Sequence, residues 1–320
     1  LSMNVLLRLA VSSTWSPPNL IRSRLGKLAA HIVVALIALV VIGGATRVME
    51  AGLACPDWPL CFGSFFPIGE MNAKVFLEWF HRLDAFFIGI AITLQLLFSL
   101  IYSSVLPRWL PWMNLIILLL VVFQGALGAL TVINLLPSTV VIGHLFLALT
   151  LVALMSGLSQ KLLLSNGTNS PFWWKLCSGG SLLLILAQSL LGSRMATTWA
   201  AQKCIANGTD CYWLDLHKVS AIPVALSIVT FVGASLLLGG WFRSQWPFLL
   251  SLLFLLIMQI ALGVLSVQLS LSEPFVRVFH QLFASLLVAF LAALSCRTPT
   301  LSSSSNCLAF EDSSLEVCHG

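Results

Sequence analysis

From Leu28 to Thr46 the chain carries no formally charged side chain, and seven further long, mostly apolar stretches follow it. A helix needs roughly 20 such residues to cross the hydrocarbon core of a bilayer. The stretches lie at about 28–48, 75–102, 110–133, 139–160, 172–196, 212–241, 247–269 and 275–296, too long for strands and without two-residue alternation. They predict an all-α integral membrane protein with eight transmembrane helices. Composition agrees: 8% of residues are charged, where a soluble domain carries about a quarter. The net charge of +5 does not point to nucleic acid, because the basic residues are scattered beside apolar spans and act as topology signals. The first span is too long for a cleaved signal peptide and lacks a small-residue cleavage site.

Lys and Arg set the orientation. The cluster Arg22, Arg24 and Lys27 before the first span favours the inside. With it go Arg8, Arg108, Lys161, Lys175, Arg243 and Arg297, while Arg47, Lys74, Arg82, Arg194, Lys203, Lys218 and Arg277 fall outside. Both ends of a multi-pass cell-membrane protein are therefore expected in the cytoplasm. Cys55 and Cys61 then share the first outer loop, and Cys204 and Cys211 the third. On the oxidising side such pairs read as two intraloop disulfides, Cys55–Cys61 and Cys204–Cys211. Cys177 and Cys296 read as apolar fillers. Cys307 and Cys318, with His319, lie in a Ser-rich tail and match no zinc spacing.

The chain repeats itself. His81 and His217 are 136 positions apart, and so are His144 and His280. Gln124-Gly-Ala-Leu-Gly128 recurs as Gln259-Ile-Ala-Leu-Gly263, with a weaker copy at Gln188-Ser-Leu-Leu-Gly192. Two pseudo-symmetric four-helix bundles are expected, 28–163 and 172–298, between a cytoplasmic segment 1–27 and a cytoplasmic tail 299–320. Gly125, Gly128 and Gly263 read as close-packing residues and Gln124 and Gln259 as interhelical hydrogen bonds. The symmetry breaks at the first outer loop, which is larger than its counterpart.

A histidine inside a span is costly and marks a functional candidate. His81, His144, His217 and His280 each lie five to seven residues from the outer end of a span, roughly 8 to 10 Å deep at 1.5 Å per residue. Two per half, on alternate helices, is the arrangement that clamps a haem iron between imidazoles. A copper or zinc site would need further ligands around each pair. His31, at the inner end of the first span, has no such partner and reads as an interface residue. Arg47, Arg82, Arg194, Lys218 and Arg277 suit haem propionates and equally suit lipid headgroups. Glu78 precedes His81 by one helical turn, and its counterpart, position 214, is Leu. A carboxylate beside one porphyrin only suits chemistry on that porphyrin; the plainer alternative is an ion pair with Arg82. Asp84 is a weaker candidate.

Taken together, Gly43-Gly-Ala-Thr-Arg47, Cys55-Pro-Asp-Trp-Pro-Leu-Cys61, Glu78-Trp-Phe-His-Arg82, His144, His217 and His280 resemble the haem A synthase (CtaA) family, in its type with paired outer-loop cysteines. The resemblance runs from about 28 to 296. It implies an oxidoreductase acting on a CH group, taking the C8 methyl of haem O to the formyl of haem A by successive hydroxylations. It further implies a haem b cofactor on His217 and His280, the substrate haem on His81 and His144, and Glu78 as the functional carboxylate. Haem O synthase and the assembly of cytochrome oxidase are the implied partners, in a lipid bilayer. The competing reading is a di-haem b-type membrane electron-transfer protein, which leaves Glu78 and the large first loop unexplained.

Overall fold

In the computed structural model, residues 18–164, 169–197, 204, 205, 207 and 211–299 are described. Arg8, Lys203 and the Cys307/Cys318/His319 tail lie outside them. Eight long helices follow one another: α1 (Pro18–Val48), α2 (Ala73–Ile101), α3 (Leu110–Ile133), α4 (Ser138–Leu163), α5 (Phe172–Thr197), α6 (Tyr212–Leu238), α7 (Trp246–Gln268) and α8 (Pro274–Cys296). All eight are long and apolar enough to cross a membrane. A helix satisfies its own backbone groups, which is what a chain in lipid requires. The protein is a multi-pass, all-helical membrane protein.

Two bounds depart from expectation. The first helix starts at Pro18, so Arg22, Arg24 and Lys27 ride on its first turns instead of preceding it. A proline fits there because a first-turn N–H has no helical partner to lose. The sixth span ends at Leu238, short of Trp241, because Gly239 and Gly240 both take positive φ (73° and 55°). Trp241 belongs to the short helix Gly240–Ser244 that turns the chain. At the other end of α2, Asn72 accepts hydrogen bonds from the Lys74 and Val75 amides at 3.0 and 3.1 Å, fixing the start of the helix that carries His81.

The helices make corresponding contacts in the two halves. α1 packs on α2 and α4, α2 on α3, and α3 on α4; α5 packs on α6 and α8, α6 on α7, and α7 on α8. α4 and α8 pack on each other, with α1 on α8 and α5 on α4. The turns after α3 and α7 also correspond: Leu135 and Leu136, like Ser270 and Leu271, take positive φ. Leu136 N donates to Thr131 O at 2.7 Å, and Leu271 N to Ser266 O at 2.8 Å.

Small polar contacts hold the centre. Ser156 of α4 donates to Ala289 O of α8 at 2.7 Å, and Trp174 Nε1 of α5 to Leu294 O at 2.8 Å. Trp174 is fully buried against Phe231 and Trp241. At the end of the bundle where α1 begins, Arg297 donates to Gln245 and Gln160 at 2.6 and 3.0 Å, and Arg22 to Lys161 O at 2.6 Å. His31 is exposed, its Nδ1 2.7 Å from Lys27 O of its own helix. Cys177 is exposed, while Cys296 lies against Gly157 of α4.

Truncating Trp174→Ala should remove about 3 kcal/mol of packing, read as a lower midpoint of thermal unfolding in detergent. Trp174→Phe, which keeps an aromatic ring but loses the hydrogen bond and part of the indole volume, should cost less, about 1–2 kcal/mol. Equal midpoints for the two variants would show that the ring does not brace the α5–α8 contact.

Candidate haem-binding site

Each of the four histidines packs against a glycine on the preceding helix. A methyl group placed on Gly43 of α1 would lie 2.8 Å from His81 Cε1, and one on Gly128 of α3 3.4 Å from His144 Cε1. On Gly192 of α5 it would lie 3.1 Å from His217 Cε1, and on Gly263 of α7 3.1 Å from His280 Cε1. Any side chain at Gly43, Gly192 or Gly263 would crowd the ring. Reading Gly128 and Gly263 as mere helix packing understates them: they seat imidazoles. Gly43 and Gly192 do the same, and the signal available for three of the four was the recurring Gln-x-x-x-Gly spacing.

The rings pair within halves. His81 lies within electrostatic reach of His144, and His280 of His217. All four are half-buried. Among the described residues no group of three His, Cys, Asp or Glu side chains could hold a bare metal ion. Two imidazoles with no third donor suit an iron whose other ligands come from a porphyrin.

Glutamine links the seats to the histidines. Gln124 Nε2 donates to His144 O at 3.0 Å. Gln188 Nε2 donates to His217 O at 2.7 Å and lies 3.1 Å from His217 Nδ1. Gln259 brackets His280, its carbonyl 3.1 Å from Nδ1 and its amide nitrogen 3.1 Å from Nε2. The interhelical role expected for Gln124 and Gln259 is met, and Gln188 shares it.

Both expected disulfides, Cys55–Cys61 and Cys204–Cys211, are formed. The first is tied to α2 by Glu78 and Arg82. Glu78, 4% exposed, accepts from the Cys55 amide at 2.8 Å through Oε2 and pairs with Arg82 at 2.5 Å through Oε1. Arg82 also donates to Asp57 O and Leu60 O, both at 2.6 Å, and to Cys55 O at 3.4 Å. The ion pair considered from sequence is thus present, and Arg82 spends most of its donors on the loop. Its repeat partner Lys218 instead makes an exposed pair with Asp215 at 3.3 Å.

The other cations gather where the halves meet. Arg47 donates to Ala196 O of α5 and lies near Arg277, which in turn lies near Glu50. Arg277 Nε is buried with no hydrogen-bond partner, a donor suited to a carboxylate. Arg194 stacks 5.7 Å from the Trp213 ring.

Alanine at the glycine seats should disturb haem binding in the order of crowding, worst at Gly43 and mildest at Gly128, with overpacking of about 1–3 kcal/mol at the tight positions. Soret absorbance per mole of purified protein measures this. A flat or reversed order would mean that the glycines do not set ring position.

Comparison with known proteins places the chain in a family. A haem A synthase from Shewanella oneidensis is 30% identical over 307 aligned residues, covering 80% of this chain and 91% of that protein, so the likeness takes in both halves. One from Bacillus pumilus is 34% identical over 140 residues (41% of this chain, 42% of that protein). One from Bradyrhizobium diazoefficiens is 31% identical over 198 residues (51% and 55%). The family model COX15-CtaA, described as cytochrome oxidase assembly protein, matches residues 27–292, from the first helix to the last. The chain belongs to the COX15-CtaA family.

Proposed function

We propose that this protein converts haem O to haem A, oxidising the C8 methyl of the porphyrin to a formyl group by successive hydroxylations. The observation that carries the reading is the pair of two-histidine clamps, one per half, each ring seated on a bare glycine. In the proposed division of labour, His81 and His144 hold the iron of the substrate, haem O. His217 and His280 hold a haem b that supplies one-electron redox chemistry when bound. The two halves, 28–163 and 172–298, then serve as pseudo-symmetric bundles with different duties.

The chain's own contribution is positioning. Two imidazoles from different helices fix the substrate porphyrin between them, so that one edge of the ring meets the same protein groups at every turnover. Arg277 and Arg47 offer donors to propionates at the junction of the halves. Glu78, one turn from His81, is the acidic group proposed to take a proton from the reacting edge. Its contacts with the Cys55 amide and Arg82 hold the carboxylate still and couple it to the disulfide loop. The second half has no such group, because Leu214 stands in its place.

The reading extends to the surroundings. Haem O synthase would deliver the substrate, and cytochrome oxidase assembly would take the product. Placing Arg22, Arg24 and Lys27 on the cytoplasmic side puts both chain ends inside a plasma membrane and the disulfide loops outside.

Co-expression with haem O synthase, followed by mass analysis of extracted haem, tests the function. Haem A is the expected product. Haem b alone at both sites would favour a di-haem electron-transfer protein instead. Glu78→Gln keeps an acceptor for the Cys55 amide but loses the carboxylate. It should retain haem at the second site and lower conversion by about 10²-fold or more. Conversion at the unaltered rate would leave Glu78 with the loop-holding role only.

A further inference from the structure

The loop between α1 and α2 turns its apolar side chains outward. From Trp58 to Gly69 it carries no charged residue. Phe65, Phe66 and Ile68 are 77%, 61% and 82% exposed, and Trp58 and Phe62 are open as well. A contiguous exposed apolar patch marks a contact surface.

The loop's polar groups are spent inward. Asp57 accepts from the Phe62 and Gly63 amides at 2.6 and 2.7 Å, and Cys61 pairs with Ser64 through the backbone. Arg82 holds the carbonyls of Asp57 and Leu60. Trp79 Nε1 donates to Phe65 O at 2.6 Å, and the Phe66 ring lies 5.6 Å from the Trp79 ring. The aromatic side chains are therefore presented from a fixed base.

Depth and direction follow from α2. Its 29 residues measure roughly 43 Å at 1.5 Å per residue. That matches a bilayer with its headgroups, about 40–45 Å, and exceeds the hydrocarbon core. The first turns of α2 thus lie among headgroups. Trp79, early in the helix, falls near the boundary with the acyl chains, where interfacial tryptophans concentrate. Glu78 is buried on one side of α2, whereas Phe76, Phe80, Phe87, Ile90 and Leu94 are all exposed on the other. Their spacing of three, four and seven positions makes one stripe facing lipid. Phe76 lies 6.0 Å from Trp79 and 5.7 Å from Phe80, ring to ring, so the loop's aromatic patch continues the outer end of that stripe.

We infer that this loop is an interfacial anchor: Phe65, Phe66 and Ile68 insert among the headgroups and upper acyl chains of the leaflet around the start of α2. Aromatic and aliphatic side chains on a charge-free segment favour that layer. The occupant is lipid, because the patch extends a face that lipid covers. Since Arg82 and Glu78 tie the loop to α2, the anchor also steadies the segment that packs on Glu78. The contact does not depend on the reaction proposed for the haem site.

The test places p-benzoylphenylalanine at Ile68 of the full chain in proteoliposomes of phosphatidylcholine and phosphatidylglycerol. Ultraviolet light inserts the probe into a neighbouring C–H bond, and the mass of the intact, denatured chain identifies what was captured. A gain of one phospholipid mass is expected, as with the same probe at Phe87. Adding Phe65→Asp should lower the lipid yield at Ile68 several-fold, because a carboxylate is drawn out of the acyl layer, and should leave the yield at Phe87 unchanged. Both loop side chains point outward, so neither change should cost the loop its fold. Capture of a second copy of this chain at Ile68, absence of a lipid adduct there while Phe87 gives one, or an undiminished yield with Phe65→Asp would each overturn the inference.

Discussion

Everything in this molecule depends on an imidazole lying against a helix backbone that has no side chain in the way. A histidine at this depth in a bilayer is costly unless something engages it, and a ring can approach a neighbouring helix closely only where that helix carries glycine. Gly43, Gly128, Gly192 and Gly263 each provide one such place, always on the helix that precedes the histidine in the chain. The pairings α1–α2, α3–α4, α5–α6 and α7–α8 are therefore also the pairings that seat the four histidines. Fold and site share one set of contacts.

On that common frame the halves differ where α2 and α6 begin. Glu78 and Arg82 turn the start of α2 into a clamp for the Cys55–Cys61 loop. The matching positions on α6, Leu214 and Lys218, do nothing of the kind, one being buried and apolar and the other paired at the exposed surface. The disulfide and the carboxylate belong to one assembly, because the Cys55 amide donates to Glu78 and Arg82 bridges Glu78 to the loop carbonyls. A catalytic carboxylate held this way would be placed by the loop as much as by its own helix.

Sequence made part of this legible for definite reasons. The spans announce themselves because lipid demands long apolar runs, and the histidines stand out because a costly residue recurring at one interval is conspicuous. The cysteine pairs were readable from their short spacing within single loops. Other features were not. The break after Leu238 depends on two consecutive glycines choosing positive φ, which neither is obliged to do. The early start of α1 was hidden because basic residues signal a membrane boundary, not a helix end. Gly43 could not be told from its neighbour Gly44 until α2 was laid beside α1. The former seats His81, whereas Gly44 leaves room for Gln281, which reaches across to Val40 O at 3.0 Å.

The central claim is that each half grips one haem with its own two imidazoles. Electron paramagnetic resonance of the oxidised protein, loaded at both sites, addresses it directly. The account predicts two low-spin ferric signals of the bis-imidazole type, with His217→Ala and His280→Ala abolishing the same one and leaving the other. A single signal lost on replacing one histidine from each half, or high-spin iron at both sites in the unaltered protein, would contradict it.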